Sequence, residues 1–378
     1  MPDSWVEVDL DRIAANYALL RRRLPDGCGI MGVVKSEAYG HGLIPVARLL
    51  AQQGAEWLGV AHADEGLAIR AAGLNSPILI LSGFLPGAEL ELLRRDLVPA
   101  CHSREQIELL ARAARAAGKP GRFHLKIDTG MNRLGIAPRE LGRTLEWVRS
   151  RRALRLEGVL SHLACADQPR HPLNQKQLRR FRGALRQLER ARGQPRWRHL
   201  ANSAALLHFP QACYDLVRVG LLLYGVPPRG ASLPAGILPA LSWKARVLNL
   251  RELEAGESLG YGARFVAPRR MRIGILPVGY GDGYPWRLGG RSEILVRGRR
   301  AAVLETVSMN LVAFDATGME ALRIGEEVVL LGEAGAAAVS AAELARLAGT
   351  IPYDILCAAQ RGAPRTYRGG DRISAVPT

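Results

Sequence analysis

Val33-Val34-Lys35-Ser36-Glu37-Ala38-Tyr39-Gly40-His41-Gly42 follows directly on an apolar run that begins at Gly29. Such a run reads as a short buried strand. It ends on a single lysine, so Lys35 leaves the core at the C-terminal end of the strand and Tyr39 follows one turn later. An amine at the rim of an apolar strand can serve covalent carbonyl chemistry, because desolvation favours its neutral, nucleophilic form. The plain alternative is a lysine that snorkels at a strand end, the common fate of such residues. Composition weighs against it. Lysine occurs only at 35, 119, 126, 176 and 244, and every other basic residue is arginine. Where arginine replaces lysine for simple positive charge, a retained lysine is the one needed as an amine. The same argument singles out Lys126.

Working outward, short apolar runs recur at 29–34, 57–61, 77–81, 97–101, 122–127, 156–160, 197–201 and 215–219, eight in all. Helical patterns lie between them, at 45–53, 63–72, 104–117, 139–150 and 175–190. Alternating strand and helix implies a parallel sheet, and eight repeats imply a closed (β/α)8 barrel of the TIM type. The active site of such a barrel lies at the C-terminal ends of its strands. Those ends carry Lys35, His62, Ser82, His102, Asp128, His162, Asn202-Ser203 and Arg218-Val219-Gly220. Each has an ordinary explanation as a turn former, a cap or a satisfied histidine; their recurrence at one end is harder to dismiss. Asn202-Ser203 opens a helix after the seventh run, and Gly220 follows the eighth. That is where such barrels hold phosphate, on helix N-termini and backbone amides. A phosphorylated cofactor beside a reactive lysine suggests pyridoxal phosphate (PLP).

Past Gly225 the pattern changes. Residues 226–238 are rich in Pro and Gly and read as a linker. Short strands follow at 241–250, 271–278, 292–296, 301–307, 311–314 and 327–331, with one clear late helix at 341–348. The expected division is a PLP-binding barrel over 10–235 and a C-terminal, mainly antiparallel β domain over 236–378. The strand at 5–9, ahead of a helix with Ile13, Tyr17 and Leu20 on one face, has no place in the barrel and is expected to join the second sheet.

Composition narrows the remaining classes. The net charge of +17 comes from dispersed arginines, and no basic stretch interleaves with aromatics, so nucleic-acid binding is not expected. No run reaches the roughly 18 apolar residues of a membrane span, and the first residues lack the apolar core of a signal peptide. Five scattered cysteines form no C-x-x-C pair, so no metal site and no disulfide framework is indicated. A cytoplasmic location is the expectation.

With these residues in view, the chain resembles the alanine racemase family over essentially its whole length. The matches are the Lys35-to-Gly42 stretch, Lys126 to Gly135, Ser161-His162-Leu163-Ala164, Asn202-Ser203, Arg218-Val219-Gly220 with Leu223-Tyr224-Gly225, Gly260-Tyr261-Gly262, Val278 to Tyr284, and Ile351-Pro352-Tyr353. The resemblance implies a PLP enzyme that interconverts L- and D-alanine for peptidoglycan synthesis or for catabolism. Lys35 holds PLP as a Schiff base and acts as one catalytic base. Tyr261, contributed in trans within a homodimer, is the other. Tyr39, Ser203, Gly220, Leu221 and Tyr353 are implied phosphate contacts, with Asn202 beside them. His162 and Arg218 tune Tyr261, and Arg218 faces the pyridine nitrogen. Arg133 and Met309 receive the substrate carboxylate, and Lys126 matches a position that is often a carbamylated lysine.

The sequence also departs from the family pattern. The family usually has an arginine three residues before a Met-Asp pair; here the stretch is Thr306-Val307-Ser308-Met309-Asn310. Another common arginine is replaced by Trp286. A less charged mouth leaves open a racemase of broader or different specificity, for serine or basic amino acids. An amino-acid decarboxylase of the same architecture is disfavoured by Arg218 and by Tyr261 as a second base.

Overall fold

The computed structural model describes residues 2–191, 195–359 and 361–370. Eight parallel strands form one sheet: Gly29–Val33, Trp57–Val60, Ile78–Ile80, Val98–Cys101, Gly121–Lys126, Leu154–Leu160, Trp197–His199 and Leu216–Val219. Each of the eight apolar runs supplies one of them. The first strand pairs with both the second and the eighth. The last two are joined by a single bridge between Asn202 and Arg218 and by the Arg218 N–H on Ala201 O at 2.9 Å. That closes the ring into a barrel.

The strand period of two sorts the barrel's residues. Met31, Trp57, Leu79, Val98, Ala100, Leu160 and Leu216 pack on one another in a small cluster of their own. Their neighbours in sequence, such as Ile30, Leu58 and Val217, belong instead to the large core that runs under the helices. Because Leu216 faces inward, Arg218 is carried on the inward-facing register of its strand, and Lys35 follows the end of the first strand.

The second sheet is mixed but mainly antiparallel. It runs, by residue range, 249–253, 271–276, 312–315, 299–307, 293–296, 327–334, 241–246, 4–9 and 365–368, with 337–339 on its flank. The N-terminal strand Ser4–Asp9 does join it, antiparallel to Leu241–Arg246 and parallel to Arg365–Arg368. Two sequence readings change. The expected strand over 241–250 is two strands broken after Arg246. A second late helix, Pro352–Ala359, follows Ala341–Ala348. The first helix, Leu10–Arg21, is capped by Asp9, whose carboxylate accepts the Arg12 N–H at 2.9 Å, and Asp11 is inside it.

The segment between the two sheets has no strand or helix over 220–240 among the described residues. It is fastened by Asn16, fully buried on the first helix. Its Nδ2 donates to Leu223 O at 3.0 Å and Leu238 O at 2.8 Å, and its Oδ1 accepts the Leu238 N–H at 2.9 Å. Asn16→Leu would strand one buried N–H and two carbonyls, each costing about 1–3 kcal/mol. Chemical denaturation should show a loss of several kcal/mol; a change within error would remove Asn16 as the fastening.

Candidate active site

The peptide after Lys35 does not continue the strand. Ser36, Glu37, Ala38 and Tyr39 all have positive φ, between 52° and 56°. This is a left-handed turn of four non-glycine residues, a conformation costing about 1–2 kcal/mol per residue. Its result is that Lys35 and Tyr39 both lie at the barrel rim, with Tyr39 buried. Strain of this kind persists only where the surroundings over-determine it. Glu65 accepts the Ser36 N–H at 2.6 Å and the Ala61 N–H at 2.6 Å. Inside the turn, His41 Nδ1 lies 3.0 Å from Ala38 O and 3.1 Å from Tyr39 O, and its ring stacks on Tyr224 at 4.4 Å.

Arg218 is 4% exposed and has no carboxylate partner among the described residues. One terminal nitrogen donates to His199 O at 2.9 Å and His199 Nδ1 at 3.1 Å. The other donates to Ser161 O at 2.7 Å, Leu200 O at 3.1 Å and His162 Nδ1 at 3.1 Å. Its Nε–H has no partner among the described residues. Burial pulls its pKa down to about 10, still a cation at neutral pH.

A guanidinium only donates, so both imidazoles accept at Nδ1 and carry their proton on Nε2. His199 Nε2 then donates to His124 Nδ1, 2.9 Å away. His162 Nε2 lies 3.3 Å from Asn202 Nδ2. The Asn202 Oδ1 is committed to the Ala205 N–H at 2.9 Å as a helix cap. That contact therefore sets donor against donor, and the His162 Nε2–H has no acceptor among the described residues. Arg218 Nε–H and His162 Nε2–H are two polar donors at this rim awaiting acceptors.

Beside them lies a small cradle. Ser203 begins the helix Ser203–His208, and its hydroxyl accepts the Gly220 N–H at 3.1 Å. A Cβ on Gly220 would stand 2.7 Å from the Tyr39 hydroxyl, so only glycine lets that ring approach. Leu221 is buried next to it, and the Tyr353 ring lies 5.7 Å from that of Tyr39. Lys126, Asp128, Arg133, Ser161 and His162 line a cavity of about 10 Å³.

The charge here is one-sided. Lys35 is pushed down by burial and then by Arg133. Lys126 falls to about 8, through burial and then the nearby cations Arg218, Arg133 and Lys35. Asp128 does not neutralise Lys126 in a salt bridge; its Oδ1 accepts the N–H groups of Gly130, Met131 and Asn132 at 2.9–3.1 Å. Such a set fits an anionic, phosphorylated aldehyde: an amine for the carbonyl, a serine, a tyrosine and backbone for the phosphate, and a free Nε–H for an aromatic nitrogen.

Ten of the residues expected at the site, Lys35, Tyr39, Arg133, His162, Asn202, Ser203, Arg218, Gly220, Leu221 and Tyr353, thus belong to one rim. Tyr261 and Met309 do not make side-chain hydrogen bonds or ring contacts with it among the described residues. Tyr261 is 84% exposed and Met309 57% exposed, both in the β-rich half. Trp286 is 55% exposed with the Arg264 guanidinium 5.5 Å above it. Asn310 donates to Asp282 at 3.1 and 3.2 Å. The Thr306 side chain lies outside the described part. Sequence reading missed His124, His199 and Glu65. The two histidines could have been found from the period of two, which sets them on the inward register of Lys126 and Trp197.

Two family models match the chain: the alanine racemase N-terminal domain over residues 8–228 and the alanine racemase C-terminal domain over residues 240–367. The chain belongs to the alanine racemase family. A curated alanine racemase from Symbiobacterium thermophilum is 43% identical over 98% of each chain. Among solved structures, the alanine racemase of Streptomyces lavendulae superposes with a TM-score of 0.92 at 35% identity, covering 98% of this chain and 99% of that one. The alanine racemase of Bartonella henselae, solved with covalently bound pyridoxal phosphate, gives 0.88 at 28% identity, covering 97% and 100%.

The rim's histidines have a measurable consequence. Burial is the first cause that holds His41 near pH 4, His124 near pH 3, and His162 and His199 well below their ordinary value. All four are neutral when folded and take up protons on unfolding below their free pKa of about 6.5. Their contribution is complete above that pH and is lost as pH falls through it. The urea midpoint should drop steeply from pH 6.5 to 5; a midpoint unchanged down to pH 5 would contradict the assignment.

Proposed function

We propose that this chain interconverts L- and D-alanine by two-base, PLP-dependent racemisation, supplying D-alanine for peptidoglycan synthesis or for catabolism. The observation that carries it is Arg218: a buried cation without a carboxylate, with one unpartnered N–H, at the same rim as a desolvated lysine. The membership established above and the 43% relative support the substrate.

In this reading PLP is held through the Lys35 amine. Tyr39, Ser203, Gly220, Leu221 and Tyr353, with Asn202 beside them, would receive its phosphate. Bound there, the cofactor supplies an electron sink that makes an amino acid's α-proton removable. Arg218 would turn its Nε–H to the pyridine nitrogen and, as a permanent cation, withhold a proton from it. With that nitrogen left unprotonated the bound cofactor would be a weaker electron sink, which would favour racemisation over transamination. Arg133 and the Met309 backbone would receive the substrate carboxylate. Lys35, its pKa already lowered, would move the proton on one face. Tyr261 of the partner subunit would move it on the other, and the unpartnered His162 Nε2–H would stabilise that phenolate.

This makes the active unit a homodimer, and its exposed Tyr261 supports that reading. The division would be a barrel domain over 10–235 and a β domain over 236–378 with the strand from 1–9; residues 1, 192–194, 360 and 371–378 of these ranges lie outside the described part. A carbamate on Lys126, formed from CO₂ with loss of a proton, would replace one excess cation with an anion beside Arg133. We place the enzyme in the cytoplasm, in keeping with the lack of any described helix long and apolar enough to cross a membrane. One observation favours a broader specificity, for serine or basic amino acids: the exposed Trp286–Arg264 stack.

Purified protein should be yellow with PLP and should racemise L-alanine faster than L-serine or L-lysine. Failure on all three, with PLP bound, would refute the racemase reading. Lys35→Ala should abolish turnover. Tyr261→Phe should lower kcat/KM by about 10²–10⁴-fold, the usual weight of a general base. The equilibrium between enantiomers ties the two directions together, so the one-sided defect appears in isotope exchange. This variant should exchange the α-hydrogen of one enantiomer with D₂O without inverting it. Equal, mild effects on both enantiomers would argue against two bases.

A further inference from the structure

The left-handed turn that carries Lys35 and Tyr39 is held from outside the barrel as well as from within it. Arg365, on the strand Arg365–Arg368 of the second sheet, donates from Nε to Gly40 O at 2.9 Å. Its Nη1 lies 3.2 Å from Glu37 Oε2. The same Glu37 oxygen accepts the Leu43 N–H at 3.3 Å. Glu37 and Gly40 bracket the turn, so one guanidinium grips it at both ends. Arg365 is only partly exposed, with 22% of its side chain accessible against 47% for Glu37, so its bond to Gly40 O is the better shielded of the two contacts.

The rest of the C-terminal segment closes on the same stretch. Gly40 has φ 88°, and a Cβ there would collide with Leu356 O of the helix Pro352–Ala359. A Cβ on Gly42 would collide with the Tyr367 hydroxyl. Tyr353, at the start of that helix, faces Tyr39 at 5.7 Å. Helix and strand therefore meet the turn at Tyr39, Gly40 and Gly42 in succession. Nothing in the catalytic scheme above uses Arg365, Glu37 or Tyr367.

We propose that the helix Pro352–Ala359 and the strand Arg365–Arg368 form a clamp that sets the geometry of the Lys35–Tyr39 turn, with Arg365 as its positioning residue, so that cofactor affinity depends on the docking of the C-terminal strand. The inference rests on the proposal that PLP binds at Lys35 and Tyr39. Coupling of this kind is reciprocal: PLP must tighten the strand by as much as the strand tightens the hold on PLP.

Two measurements test it, one of them independent of activity. In wild-type protein, PLP should slow amide hydrogen exchange at 365–368 as well as at 36–42. Arg365→Gln should raise the PLP Kd by about tenfold or more and speed exchange at 36–42 in the holoenzyme. Arg365→Lys, which can keep either the Glu37 pair or the Gly40 bond but not both, should fall between. Glu37→Gln, which spares the Gly40 bond, should show a smaller rise. Arg300→Gln, which removes exposed ion pairs with Glu293 on the neighbouring strand and Glu343 on the helix Ala341–Ala348, should leave the PLP Kd unchanged. If both Arg365 variants and Glu37→Gln melt earlier but bind PLP as the wild type does, the clamp serves only fold stability and the proposal is overturned. Equal loss in Arg300→Gln would overturn it too. A wild-type protein that does not take up PLP would instead refute the cofactor reading itself.

Discussion

Four cations, Lys35, Lys126, Arg133 and Arg218, share one rim of the barrel, and the nearby carboxylates are already committed to backbone amides. Asp128 holds three N–H groups of its own loop. Glu65 holds Ser36 and Ala61. Burial first, and then like charges at close range, disfavour the charged forms, which is why both lysines are pushed down. The same repulsion makes the rim a receptor for anions: a phosphate, a substrate carboxylate, or a carbamate on Lys126 each relieve it. An amine with a lowered pKa and a pocket that favours anions both follow from burying these cations together.

Burying Arg218 without an acid demands another solvent for its charge. The barrel provides carbonyls from Ser161, His199 and Leu200 and two imidazole nitrogens. A carboxylate in their place would cancel the field that Arg218 exerts on the cofactor nitrogen. Neutral acceptors fix the guanidinium in place and leave its charge intact. They also order the protons, since each imidazole that accepts at Nδ1 must donate at Nε2. His124 ends this chain among aromatics, edge-on to Trp57 at 4.8 Å, with no hydrogen-bond partner at its own Nε2 among the described residues.

The barrel was legible because its signal is local. Each strand is a short apolar run, and each run ends in residues that do not belong in a core, from Lys35 to Arg218. The rim residues were legible for the same reason, as neighbours in sequence of a strand end. What stayed hidden depends on meetings between distant segments. Nothing local marks Pro352–Ala359 as a helix that packs on Gly40, and its first residue is a proline that also suits a turn. His124 and His199 read as interior residues of strands, and only the barrel's closure brings them to Arg218. The left-handed turn was invisible because Ser, Glu, Ala and Tyr carry no preference for positive φ. Besides the nearby His41, the groups that hold it, Glu65 and Arg365, lie far along the chain.

That turn also explains why the first and last strands of the second sheet lie side by side. Val6 pairs with Arg365, Glu7 with Thr366, and Val8 with Tyr367, in parallel register. In a strand, alternate residues share a face. Arg365 and Tyr367 therefore point together at Gly40 and Gly42, while Thr366 and Arg368 turn the other way, onto Val6 O and Glu7. A slip of one residue would exchange the two faces and present Thr366 and Arg368 to the turn. The register of a strand at the start of the chain thus decides which side chains reach the lysine motif. The β-rich half is then more than a neighbour of the barrel: its edge completes the barrel's most strained loop, and neither half alone has the groups to hold Lys35 where the cations meet.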